Sequence, residues 1–306
     1  MNKPVQAKPF LKWAGGKTQL LRELTARLPR EIKESGVIKT YVEPFIGGGA
    51  FFFHLKSMFV IENACLVDIN RELILGYKVV QQEPDALIAC LSKLERDYLA
   101  LGSQARRVFY YGIREQYNQQ MNQFDYQSFN EDWIVRASYM IFLNKTCYNG
   151  LFRQNHKGEF NVPHGRYKKP KICDADNIRA VSRALAGVKL VCGDFTCSRP
   201  YIGPGTLGYF DPPYRPLTKT ASFTTYNKDD FTDDDQIRLA HYFRELDEIG
   251  ALLLLSNSDP KAVNADDSFL DSLYQGFTID RVRAKRSINC NGRGRGLISE
   301  LIVRNY

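Results

Sequence analysis

Glu43-Pro44-Phe45-Ile46-Gly47-Gly48-Gly49-Ala50 is the stretch from which the fold is read. It continues a short apolar run, Tyr41 to Phe45, and leads into apolar residues with helical spacing from Ala50, so its glycines stand at a strand-to-helix turn. Glycine there lets a ligand approach the backbone closely. A second apolar run, Ala64 to Val67, ends at Asp68, 21 residues after Gly47. An acidic residue about 20 residues beyond such glycines caps the next strand and holds ribose hydroxyls. The glycines alone would make no more than a tight turn; together with Asp68 they point to an adenosine-containing ligand. NAD is not indicated, because Phe52 stands where GxGxxG needs its third glycine.

Further short apolar runs, at Val188 to Cys192, Leu207 to Phe210, Ala251 to Ser256 and Phe277 to Val282, read as buried strands, with Leu297 to Val303 as one more. Lys17 to Arg27, Asp174 to Leu185, Asp233 to Asp247 and Ala262 to Leu273 carry helical spacing. The alternation is that of an α/β fold with a largely parallel sheet. The middle breaks it: Arg71 to about Leu143 is helical almost throughout, and Asn144 to Lys171 is polar and rich in Gly and Asn. Connections that long usually carry function. The expected division is therefore 1–70 and 172–306 as a catalytic domain, with 71–171 as an inserted subdomain whose irregular tip faces a substrate.

Composition narrows the function. The 306 residues are 44% hydrophobic and 25% charged, and their formal net charge of +8 invites an anionic partner. No apolar run reaches the roughly 18 residues of a membrane span, and the first ten residues have no apolar secretory core. Seven cysteines without a CxxC, and four histidines without an HExxH, speak against a disulfide framework and a metal centre and suit a reducing cytoplasm. Gly15-Gly16-Lys17-Thr18 has the tail of a phosphate-binding loop, but Leu11 occupies the place of the required first glycine and no strand precedes it.

The chemistry is carried by Leu207-Gly208-Tyr209-Phe210-Asp211-Pro212-Pro213-Tyr214. A carboxylate, two prolines and an aromatic follow a buried strand, at the edge where open α/β sheets bind ligands. The prolines remove two N–H donors and leave carbonyl acceptors beside Asp211. Such a site suits a neutral amino group. Two acceptors on its hydrogens would localise and aim the lone pair of an exocyclic base nitrogen, and Tyr214 would stack on the base.

Together with EPFIGGG, KWAGGK, the run Asn144 to Arg153 and Gly158-Glu159-Phe160-Asn161-Val162-Pro163, the DPPY motif resembles the Dam family of adenine-specific DNA methyltransferases. The match is ordered from Pro9 to Arg286-Ser287-Ile288 and Glu300-Leu301. The resemblance implies a Rossmann-like S-adenosylmethionine-dependent methyltransferase sheet with an inserted helical DNA-recognition subdomain. It implies that Trp13, Ala14, Gly15 and Lys17 contact S-adenosylmethionine. Glu43, Phe45 and Gly47 would lie along the methionine part, Asp68 on the ribose, and Asp194 and Phe195 beside the adenine. Asp211 and Pro212, stiffened by Pro213, would bind the target amino group, and Tyr214 would stack on an adenine extruded from the duplex at a cost of a few kcal/mol.

For DNA reading, the resemblance implies a hairpin that enters the major groove. Arg153 is its candidate guanine contact, Tyr148 a wedge, Lys12 a base contact from the other side, and Asn149, Asn155, Pro163 and Arg286 further DNA contacts. Positions 152 and 156, Phe and His, are departures at the hairpin tip. Lys168, Lys169, Lys171, Arg283, Lys285, Arg286, Arg293 and Arg295 would meet phosphates. The expected function is methylation of an adenine amino group in double-stranded DNA, within GATC, with a separately acting cognate restriction endonuclease as a possible partner. The expected location is the cytoplasm, at the nucleoid of a bacterial or phage-infected cell. The alternatives are a cytosine-amino or RNA methyltransferase, and a catalytically silent DNA-binding module.

Overall fold

The computed structural model describes residues 5–215, 231–285 and 297–306. Seven strands form one sheet: β1 (Val37–Glu43), β2 (Val60–Asp68), β3 (Lys189–Cys192), β4 (Leu207–Phe210), β5 (Leu252–Ser258), β6 (Thr278–Lys285) and β7 (Leu297–Arg304). Their order is β3-β2-β1-β4-β5-β7-β6. β1 pairs in parallel with β2 and β4, and β4 with β5, whereas β7 runs antiparallel to both β5 and β6. The expected mostly parallel, Rossmann-like α/β sheet is therefore present. Strand order reverses between β1 and β4, so the ends of these strands, at Glu43 and Asp211, open at the switch point where such sheets bind ligands.

Local chemistry sets where the elements stop. β1 ends at Glu43, two residues short of the expected Phe45, because Pro44 has no N–H to give to a neighbouring strand. The helix expected over Ala262 to Leu273 shrinks to α10 (Phe269–Leu273), preceded by a 3-10 turn at Pro260–Ala262. Between them Asn264 Oδ1 accepts from Asp266 N and Asp267 Oδ1 from Phe269 N, side-chain turns that compete with helical bonding. The Lys17 to Arg27 helix is likewise reduced to α1 (Leu21–Ala26), and α2 (Arg30–Ser35) was not foreseen.

By compactness the chain divides into two units, residues 1–16, 47–57 and 68–193, and residues 17–46, 58–67 and 194–306. The second is built on the buried strands β4 and β5, whose Leu207, Tyr209, Phe210 and Leu253 to Leu255 are almost wholly enclosed, with α9 (Asp233–Glu248). Thr232 and Asp235 close a capping box at the start of α9. The first unit contains α3 (Ala50–Met58) up to Ser57, then α4 (Arg71–Gln82), α5 (Pro84–Ala100), α6 (Ser103–Gln120), α7 (Glu131–Thr146) and α8 (Ala175–Ala184). Its core holds an ion pair: Arg136 on α7 donates through Nε and Nη2 to both oxygens of Glu72 on α4, at 2.8 and 2.6 Å. Arg136 Nη1 also donates to the Tyr117 carbonyl of α6, and the Tyr126 hydroxyl donates to Glu72. No described helix is long and apolar enough to cross a membrane.

Candidate active site

In the second unit, the last residue of β4 delivers Asp211 to the sheet edge. Its Oδ1 accepts from the Ser256 hydroxyl of β5 at 3.0 Å and is 3.1 Å from Lys17 Nζ, which is itself buried at 8% exposure. Burial pushes the Asp211 carboxyl above its ordinary range, against the pull of the Lys17 charge. The two prolines differ in use. The Pro213 carbonyl accepts from Gln236 Nε2 of α9 at 3.1 Å, whereas the Pro212 carbonyl has no partner among the described residues. Tyr214 is fixed by its hydroxyl, which donates to Glu300 Oε2 of β7 at 2.6 Å, and its ring lies 3.8 Å from Lys17 Nζ.

The remaining predicted residues of this unit lie on the same edge. Glu43 is buried and accepts from the Tyr41 hydroxyl at 2.7 Å. Phe45 packs on Phe195 with ring centroids 5.6 Å apart. Asp194 caps the 3-10 segment Phe195–Tyr201, accepting from Thr196 N, and is gripped by both terminal nitrogens of Arg238 at 3.1 and 2.9 Å. Burial would raise the Asp194 carboxyl, but these bonds outweigh it and hold it below its ordinary range. Arg238 also stacks over Phe195, 4.5 Å from its centroid.

In the first unit, Asp68 bridges the glycine turn: Oδ2 accepts from Gly47 N at 3.0 Å and Oδ1 from Asn70 N at 2.9 Å. Burial pushes its carboxyl up to about 6 despite both bonds. Trp13 lies against the turn; a Cβ on Gly47, whose φ is +46°, would come within 3.0 Å of Trp13 Cδ1. Glycine is thus required there on two counts. Ala14 and Gly15 are exposed, Gly15 with φ 78°.

Asn144, buried at the end of α7, joins the KWAGGK segment to the region after the helix. It accepts from Lys12 N at 2.9 Å and donates to the Lys12 carbonyl at 2.9 Å and the Gly150 carbonyl at 3.1 Å. The chain from Cys147 to His164 then folds back on itself through antiparallel bridges at Cys147–His164 and Gln154–Phe160. Tyr148 is 55% exposed, its N–H held by the Pro163 carbonyl, and Asn149 takes the left-handed conformation at φ 59°. Arg153 is exposed and oriented by Asn161, whose Oδ1 accepts from Nε at 2.8 Å. Asn155 is taken up in the tip, accepting from the Lys157 and Glu159 N–H groups and donating to the Glu159 carboxylate. Phe152 stacks on Trp13, centroids 5.2 Å apart at 19°. Of the basic residues, Lys168, Lys169 and Arg283 are exposed, and Lys171 is paired with Asp174 at 2.8 Å. Arg286, Arg293 and Arg295, and the side chain of Lys285, lie outside the described residues.

The family model for D12 class N6 adenine-specific DNA methyltransferases matches residues 13–288, which include the glycine turn, Asp68, the hairpin and DPPY. This chain belongs to that family. It is 50% identical over 99% of its length to the type II methyltransferase M.MjaIII of Methanocaldococcus jannaschii, covering 100% of that protein. It is 35% identical to the type II methyltransferase M1.LlaDCHI of Lactococcus lactis subsp. cremoris, over 99% of this chain and 96% of the relative. The DNA adenine methylase of Escherichia coli K12 is 33% identical, over 96% of this chain and 94% of that one. The protein is thus an adenine-specific DNA methyltransferase, and of the alternatives weighed on sequence the adenine of DNA is the substrate the family describes.

For this D12-class chain, sequence reasoning did not single out Ser256, Gln236 or Glu300, which hold Asp211, the Pro213 carbonyl and Tyr214. Each lies more than twenty residues from DPPY, and no local pattern gives it that role. The buried polar run Ser256-Asn257-Ser258 inside an apolar strand was the available signal, since polar groups in such a strand need partners.

Proposed function

We propose that the methyl donor is S-adenosylmethionine and that the acceptor is the amino group of an adenine rotated out of double-stranded DNA, within GATC. The observation that carries this reading is the arrangement at the end of β4: a half-buried carboxylate and a Pro212 carbonyl without a partner among the described residues, beside a ring pinned through its hydroxyl. Asp211 Oδ and the Pro212 carbonyl accept the two amino hydrogens, so the nitrogen lone pair is localised and directed away from them. Tyr214 holds the face of the base, at a fixed angle because Glu300 holds its hydroxyl. Extrusion of the base costs a few kcal/mol, which this stacking and hydrogen bonding offset.

The residues present suit the cofactor. Asp68 has two bonds on a carboxylate with about four acceptor positions, leaving capacity for the two ribose hydroxyls. The bare Cα of Gly47 under Trp13 is a cradle that a side chain would fill. Trp13, Ala14, Gly15 and Lys17 would line the cofactor. Glu43, Phe45 and Gly47 hold the methionine part, and Asp194 and Phe195 border the adenine. When bound, S-adenosylmethionine supplies a methyl group on a sulfonium sulfur, whose C–S bond breaks as the N–C bond forms. Asp211, its carboxyl raised by burial, then takes the proton that the methylated nitrogen releases.

Residues 71–171 form the DNA-reading part on this reading, and 1–70 with 172–306 the catalytic part. Arg153 reads a guanine, Tyr148 enters the stack, Lys12 touches a base from the KWAGGK segment, and Asn149, Asn155 and Pro163 shape and contact at the hairpin. Arg286 adds a backbone contact. Two relatives named as type II methyltransferases support a separately acting restriction endonuclease as partner, and DNA as substrate supports work at the nucleoid in the cytoplasm. The test is a panel of duplexes carrying GATC and each single-base variant, incubated with S-adenosylmethionine and digested to nucleosides. N6-methyl-2′-deoxyadenosine from GATC alone is the expected product; methylation of another site, or none with this donor, would reject the reading.

A further inference from the structure

Lys17 is the buried lysine among the described residues, and its ammonium lies where the target amino group is assigned. It is 3.1 Å from Asp211 Oδ1 and 3.8 Å from the centroid of Tyr214. Those are the acceptor and the stacking face of the reading above, on which this inference rests. The frame around it is fixed: Ser256 donates to Asp211 and Tyr214 is tied to Glu300. The lysine is the part that can yield, with a flexible four-carbon stem rising from a segment whose Ala14, Gly15, Gly16 and Thr18 are all exposed. An ammonium and a base amino group are both compact N–H donors, and the two cannot fill one place.

We propose that Lys17 is a built-in stand-in for the target amino group: it occupies the Asp211–Tyr214 site while no base is bound and is displaced when adenine enters. Until then it satisfies a half-buried carboxylate that has no other cation beside it among the described residues. The groups that act on Asp211 are Lys17 from the loop before α1, Ser256 on β5 and Glu300 on β7. Asp211 in turn acts on Tyr209 of β4, Tyr41 of β1 and Tyr214; Glu43 of β1 faces Tyr41 and Tyr209, and Glu300 faces Tyr209 and Tyr214. Lys17 is the cation of the set, so its removal lets burial and Glu300 drive the Asp211 carboxyl further up.

The experiment measures binding of GATC duplexes to the full chain with S-adenosylhomocysteine present, by fluorescence anisotropy at pH 8. The target adenine is compared with purine, which has no amino group, for wild type, Lys17→Met and Lys17→Arg, each checked for folding by a thermal melt. Losing the competitor should raise the preference for adenine over purine about tenfold in Lys17→Met, about 1.4 kcal/mol, and leave it near wild type in Lys17→Arg. The acid limb of kcat/KM for DNA, which reports the free enzyme, should move to higher pH in Lys17→Met and not in Lys17→Arg. Lys17→Ala gives the same comparison if Lys17→Met does not fold. An unchanged preference in the neutral variants would overturn the inference, whether or not S-adenosylhomocysteine binding weakens. A wild type that does not distinguish adenine from purine would instead overturn the assignment of Asp211 to the amino group.

Discussion

Asp211 has three neighbours that define its work, Ser256, Lys17 and the Pro212 carbonyl beside it, so truncating it removes one of two acceptors and leaves the rest of the edge standing. Asp211→Ala should lower the methyl-transfer rate by roughly two orders of magnitude or more while cofactor affinity stays within a few-fold, as single-turnover kinetics and calorimetry would report. Asp68 works in the opposite balance. Its folded pKa, about 6, lies above the ordinary value of 3.8, so the folded state holds the proton more tightly and this group's contribution to stability falls as pH rises from about 4 to 6. Above that window the ionised carboxylate is unfavourable to the fold. Asp68→Asn should therefore melt higher than wild type at pH 8, by a few degrees, on a scale of about 2–4 °C per kcal/mol, and bind S-adenosylmethionine more weakly. In the wild type, cofactor affinity should decline as pH falls through about 6. A variant with unchanged affinity would remove Asp68 from the ribose site.

At the scale of elements, α4, α6 and α7 are locked by one buried pair. Glu72 receives two bonds from Arg136 and one from Tyr126, and Arg136 also reaches the Tyr117 carbonyl. Arg136 is fully buried and stacks 4.2 Å from the Tyr117 centroid. Removing one member of such a pair leaves a buried charge without compensation, which costs about 3–5 kcal/mol. Arg136→Met should lower the free energy of unfolding by that amount at pH 8, as denaturant titration would report, and the double variant Glu72→Met with Arg136→Met should recover much of it. A single-variant loss below about 1 kcal/mol would mean that water reaches the pair. The lock was not visible in the sequence. Glu72 reads as an ordinary first-turn acid of a helix, and Arg136 as a charge on the solvent side of the next but two.

For the whole molecule, the charge of +8 supplies attraction to DNA, whereas selection of a sequence needs a fixed donor pair at one base. Arg153, oriented by Asn161 on the hairpin, has that fixity, and the exposed Lys168 and Lys169 do not. Arg153→Ala should lose about 1–3 kcal/mol of discrimination at one base position and spread methylation to sites that differ there. Lys168→Ala or Lys169→Ala should instead weaken all duplexes alike and reduce the salt slope by about one unit. Methylation of the duplex panel at two salt concentrations tells the two apart. If Arg153→Ala slowed every duplex by one factor, the hairpin would be an anchor and Lys12 the place to look for reading.

The strands, the glycine turn, Asp68 and the DPPY loop were legible because each is local: alternation of apolar runs, a proline that ends a ladder and a carboxylate at a strand end are written within a few neighbouring residues. The same locality made the family recognisable. Element ends were less so, as at Ala262 to Leu273, where asparagine and aspartate side chains bonded to the backbone and cut the helix short. What only the tertiary structure decided is who holds the functional groups. Lys17 lies 194 positions from Asp211 in the chain, and Glu300 86 positions from Tyr214. Partners at such separation are chosen by the order of strands in the sheet, which sets β5 beside β4 and β7 beside β5 although β7 is the last strand of the chain. A sequence specifies that order through the summed burial of every strand and helix, and no single motif states it.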